Sequence, residues 1–108
     1  MFVHVALFTW RPGTEAQDIA DAGRVLTKLC EGTPGLLGYD MGSDLGLISG
    51  QFGAEMGLQS EKADFCVVMK FDSKESWHAY NADPAHRAAV RDSIGRLAAR
   101  RISVQFQV

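Results

Sequence analysis

The stretch Ala63-Asp64-Phe65-Cys66-Val67-Val68-Met69-Lys70-Phe71 alternates by twos. Phe65, Val67, Met69 and Phe71 fall on one face, and Cys66 and Val68 make the other face partly apolar. That pattern predicts a strand near 63–71 that needs cover on both sides. Downstream, Ser73 is placed to cap a short helix near 73–81 carrying Trp77 and Tyr80 on one side, with His78 outward. Asp83-Pro84 opens a second helix near 84–98, with an acid at the N-cap and proline at N1. His86, Val90, Ile94 and Leu97 share its inner face, and Arg87 and Arg91 turn away. Arg96, Arg100 and Arg101 collect near its end, where positive charge suits the helix dipole. Ile102, Val104, Phe106 and Val108 then alternate with Ser103, Gln105 and Gln107, a last strand near 101–107.

Upstream of the opening stretch, residues 43–62 hold no period. Leu45, Leu47, Ile48, Phe52, Met56 and Leu58 make this segment too apolar for simple solvation, so it is expected to reach towards a partner. Before it, Leu37, Tyr39 and Met41 alternate in a strand near 36–42. A helix near 14–30 precedes that strand, with Ile19, Ala22, Val25, Leu26 and Leu29 as its inward stripe. Thr14 and Gln17 offer a capping box at its start, and Gly32, Pro34 and Gly35 end it. The first strand, near 2–9, sends Phe2, His4, Ala6 and Phe8 one way and Val3, Val5 and Leu7 the other.

The resulting order is β-α-β, long loop, β-α-β. It predicts a ferredoxin-like α+β fold: a four-stranded antiparallel sheet with helices on one face. At 108 residues, one domain spanning 1–108 is expected. Val3, Val5, Leu7, Cys66 and Val68 face away from the helices, and a homodimer packed sheet against sheet would cover them.

Composition bounds the partners. Apolar residues make up 46% and charged residues 22%, which excludes a disordered chain. Eleven Lys+Arg against 13 Asp+Glu give a net charge of -2, so no basic excess exists for nucleic-acid binding. No apolar run approaches a membrane span, and the apolar run Val5 to Phe8 has no basic segment before it, unlike a signal peptide. Cys30 and Cys66 lack metal-like spacing and read as two buried reduced thiols, which suits the cytoplasm. Neither a dinucleotide fingerprint, a P-loop nor a nucleophile elbow occurs.

Four segments together resemble the stress-responsive A/B barrel (Dabb) family, within the wider dimeric α+β barrel superfamily. They are Phe2 to Phe8 with its early histidine, Pro12-Gly13-Thr14, Thr33-Pro34-Gly35, and Trp77-His78-Ala79-Tyr80 running into Asp83-Pro84-Ala85-His86. The family pattern places a histidine where this chain has Asp83. The resemblance implies a ferredoxin-like monomer paired into a barrel. It does not imply one activity, since the family includes stress proteins and a plant polyketide cyclase. In that cyclase, the histidine matching His86 is the general base for an aldol closure, and residues matching Tyr80 and His4 assist.

The residue types fit that chemistry. A neutral imidazole takes an acidic α-proton at neutral pH, and a phenol and second imidazole hydrogen-bond the developing oxyanion. The expected site has His86 as base, Tyr80 and His4 as its partners, and Phe8, Val25, Leu29, Val67 and Trp77 as walls. No metal and no cofactor is called for. The ligand expected is a small apolar or aromatic, polyketide-like molecule bound between sheet and helices. Three functions remain open: a binding dimer without catalysis, a cofactor-free cyclase, lyase or isomerase, and a cofactor-independent monooxygenase. In the first, His86 pairs with Asp83 or with helix-end amides, and His4 is a satisfied core histidine.

Overall fold

The computed structural model describes residues 1–47, 51–58 and 61–108. Along the chain these form β1 (Phe2–Trp10), α1 (Ala16–Glu31), β2 (Leu36–Ser43), α2 (Gln51–Glu55), β3 (Phe65–Phe71), α3 (Lys74–Ala82), α4 (Pro84–Asp92), α5 (Ile94–Leu97) and β4 (Ala98–Gln107). The strands make one sheet in the order β2-β3-β1-β4, and every neighbouring pair is antiparallel. This is the ferredoxin-like α+β fold that the element order predicts.

Register decides which side chains meet. His4 lies opposite Met69 of β3 and Gln105 of β4, and Phe8 lies opposite Phe65 and Arg101. Directly opposed residues share a face. The inner face therefore carries Phe2, His4, Ala6 and Phe8 in its centre, the apolar row of β3 on one side and Arg101, Ser103, Gln105 and Gln107 on the other. The core fills the space between this face and the helices, with Phe71 and Ile94 fully buried and Ala22, Leu26 and Cys30 of α1 closing over it.

Several expectations need correction. The helix expected over 84–98 breaks at Ser93, whose hydroxyl donates to the Ala89 carbonyl at 2.7 Å, and β4 begins at Ala98. Arg100 and Arg101 are therefore strand residues rather than helix-end residues. At the start of α1, the Thr14 hydroxyl donates to the Arg11 carbonyl at 2.7 Å instead of capping. The helix begins at Ala16, and the Asp18 carboxylate accepts from the Glu15 backbone N–H at 3.1 Å. A bulge between Leu36 and Gly38 turns Leu37 out to 64% exposure, and Leu36 packs on the core in its place. Val3 is already buried within one chain, opposite Lys70 and Phe106. Both cysteines are free, but Cys66 is only half-buried.

The segment 43–62 is not wholly irregular, since β2 runs to Ser43 and α2 lies within it. Its Leu45, Leu47, Met56 and Leu58 are exposed, and Ile48 lies outside the described residues.

Candidate functional site

The inner face of β1 and the N-terminal turn of α4 bring His4 and His86 to the wall of one cavity of about 290 Å³. Each arrives for a local reason. His4 belongs to the inward set of β1 and is 7% exposed. His86 sits one turn into α4, which starts where the Asp83 carboxylate accepts from the Ala85 N–H at 3.3 Å and Pro84 fixes the first turn. Tyr80 comes from the last turn of α3, and its ring lies against that of His86 with centroids 3.7 Å apart. Phe8, Val67, Met69 and Ala6 form the apolar floor.

The predicted walls divide. Phe8 and Val67 line this cavity. Val25 and Leu29 line a separate groove of about 610 Å³ between α1 and the α3–α4 corner, and Tyr80 and His86 stand between the two spaces, lining both. Trp77 lines neither; it packs behind His4, with ring centroids 5.8 Å apart, and against Phe2 at 5.4 Å.

Three contributors were not read from the sequence as site residues. The Gln105 side-chain amide lies 2.8 Å from Nδ1 of His4. With the amide nitrogen as donor, Nδ1 accepts and neutral His4 keeps its proton on Nε2. Arg101 places its guanidinium over the Phe8 ring, 5.9 Å from the centroid. Arg87, expected to turn away with Arg91, lines the cavity with it. Long basic side chains carry their heads around a helix to water, so the phase of the Cα position does not fix where the charge lies. The signal that was available is the polar row Ser103, Gln105 and Gln107, whose partner row is apolar.

The electrostatics hold both imidazoles neutral at pH 7. Burial, with the positive charge of Arg101 and then repulsion from the His86 imidazole when that is protonated, pushes His4 down to about 4. Burial also lowers His86; the Asp83 carboxylate opposes that shift and Arg87 supports it. Burial pushes the Tyr80 phenol up, so it stays protonated and able to donate. Cys30 is raised to about 11 by burial and then by Glu31, which leaves an inert thiol.

Among the described residues two buried side-chain polar atoms are unmatched, Nε1 of Trp77 and Nδ1 of His86. Nδ1 of His86 is buried without a hydrogen-bond partner, although the residue is only 8% exposed. Neither Asp83, which accepts from Ala85, nor a helix-end amide satisfies it. No Asp or Glu lines the cavity, and among the described residues no group of three or more His, Cys, Asp or Glu could hold a metal ion.

Known proteins supply a frame. Over 99% of this chain and 90% of its own, a dimeric ferredoxin-like protein of unknown function from Thermobifida fusca YX is 33% identical, with a TM-score of 0.79. A Dabb family protein with a ferredoxin-like fold from Mesorhizobium loti is 15% identical over 99% and 95% of the two chains, TM-score 0.75. A hydroxynitrile lyase from Passiflora edulis is 10% identical over 99% and 92%, TM-score 0.78, a likeness of fold alone. Among curated proteins, none matches. The family model of the stress responsive A/B barrel domain matches residues 2–108, and the chain belongs to that Dabb family.

Proposed function

We propose that this Dabb protein works as a homodimer that binds a small, mostly apolar molecule between sheet and helices, with His86 as the general base. The ligand presents a carbonyl or phenol to the histidine end. His86 takes a proton from it, and Tyr80 and the Nε2–H of His4 hydrogen-bond the oxygen that gains charge. The supporting observation is that His86 and His4, both kept neutral by burial, stand on the wall of one cavity with an apolar floor. The chemistry is a cofactor-free proton transfer of the lyase, cyclase or isomerase class. The free Cys30 and Cys66 thiols support the cytoplasm as the compartment.

The test is His86→Phe, which keeps a ring against Tyr80 and removes both nitrogens. The expected result is stability within about 1 kcal/mol of wild type, since an unmatched polar atom has gone, together with loss of binding to 2-naphthol, a small apolar phenol. Destabilisation of about 1–3 kcal/mol with unchanged 2-naphthol binding would show a structural histidine instead.

A further inference from the structure

We infer that the ligand of this cavity carries a carboxylate at the end opposite its carbonyl or phenol, and that Arg87 and Arg101 recognise it. The inference rests on the cavity being the binding site and adds the charge of the substrate class. Three cationic side chains, Arg87, Arg91 and Arg101, reach the cavity from two different elements, α4 and β4, and no carboxylate lines it. The chain as a whole has the opposite balance, with 13 Asp+Glu against 11 Lys+Arg. Of the arginines outside the cavity, Arg24 pairs with Asp21 and Arg100 with Glu61. Within the cavity set, Arg91 is held by Asp92 at 3.2 Å. Arg87 and Arg101 have no ion pair among the described residues.

Their positions suit the task. Arg101 holds its guanidinium over the Phe8 ring of the floor, 5.9 Å from the centroid. Among the described residues its side chain makes one hydrogen bond, from Nη1 to the Ser103 hydroxyl at 3.1 Å. Arg87 stands one residue beyond His86, so the base and a cation belong to the same helical turn. Both cations line the cavity with the imidazoles, in keeping with Arg101 adding to the lowering of His4 and Arg87 to that of His86. A guanidinium fork matches a carboxylate with two parallel hydrogen bonds. An apolar floor, a neutral base and two guanidinium groups without an ion pair among the described residues describe a site for a small aromatic acid.

The experiment compares two probes that share a naphthol ring: neutral 2-naphthol and 6-hydroxy-2-naphthoate, whose carboxylate lies across the ring from the hydroxyl. Binding is followed by calorimetry and by NMR of the imidazole nitrogens of the full chain. The acid should bind at least tenfold tighter than 2-naphthol. Arg101→Gln and Arg87→Gln should each weaken the acid about tenfold and leave 2-naphthol unchanged. If both probes shift the His4 and His86 nitrogens with equal affinity, the cavity reading stands and the carboxylate inference falls. A preference for the acid that survives both substitutions also overturns it. If neither probe perturbs the imidazoles, the cavity is not the site and both readings fall together.

Discussion

At the scale of single residues, His4 carries a measurable consequence of burial. Its folded value of about 4 lies below the ordinary 6.5. Between those two values the unfolded chain takes up a proton that the folded chain refuses, so stability falls as pH drops through this window. Above pH 7 the contribution is complete. The urea midpoint of the wild type should therefore decline from pH 6.5 to 4 more steeply than that of His4→Gln, and parallel curves would show that His4 is not buried as described. The inward placing of the three titratable residues is legible from phase, while the roles proposed for them came from the family resemblance. His4 follows from alternation in β1, His86 from the stripe with Val90 and Ile94, and Tyr80 from its side of α3. Gln105 and Arg101 were not, because the reading carried the helix on to residue 98 and attached no role to the polar row of the last strand. What the sequence could not supply is the register that sets Gln105 opposite His4.

Among the elements, the α1–β2 corner is the least forgiving. Gly35 has φ +78, and a Cβ there would lie 2.6 Å from Cβ of Ser76. Its carbonyl also accepts from the Asp72 N–H at 2.8 Å, so the turn is tied to the start of α3. Ser76 and then Ser73 donate to Asp72 and hold its carboxyl below the usual carboxylate range. Gly35→Ala should cost about 2 kcal/mol or more by urea denaturation, from the left-handed backbone and the clash together. A smaller loss would mean that the corner can open without cost. Asp18→Ala should cost about 0.5–2 kcal/mol, whereas Gln17→Ala should leave stability nearly unchanged. That pair discriminates the observed start of α1 from the one predicted at Thr14. Strand and helix existence was legible at every element with a sustained period. The break at Ser93 and the bulge after Leu36 were not, because each is a local hydrogen-bonding event within an otherwise continuous apolar pattern.

For the whole molecule, the outer sheet face is the proposed dimer interface. Ile102, Val104 and Phe106 are 51%, 56% and 47% exposed, and they extend the row begun by Val5, Leu7, Cys66 and Val68. Leaving each of the three wet costs on the order of 1 kcal/mol. The polar row of β4 faces the cavity and its apolar row faces out, so one strand serves the site with one side and the proposed partner with the other. Sedimentation at micromolar concentration should give twice the 11.8 kDa of one chain, and Val104→Asp should give the monomer. A wild-type monomer, or an assembly indifferent to Val104→Asp, would remove the sheet-face dimer. Either result would leave the cavity intact, because its described walls come from one chain.

The cavity is the centre of the account, and one titration addresses it. With the imidazole nitrogens of His4 and His86 labelled, 2-naphthol is added at pH 7 and both rings are followed by NMR. The account predicts that the nitrogen signals of both histidines shift together along one saturable curve, with the exposed His78 unmoved. Saturable 2-naphthol binding that leaves His4 and His86 unshifted would contradict it.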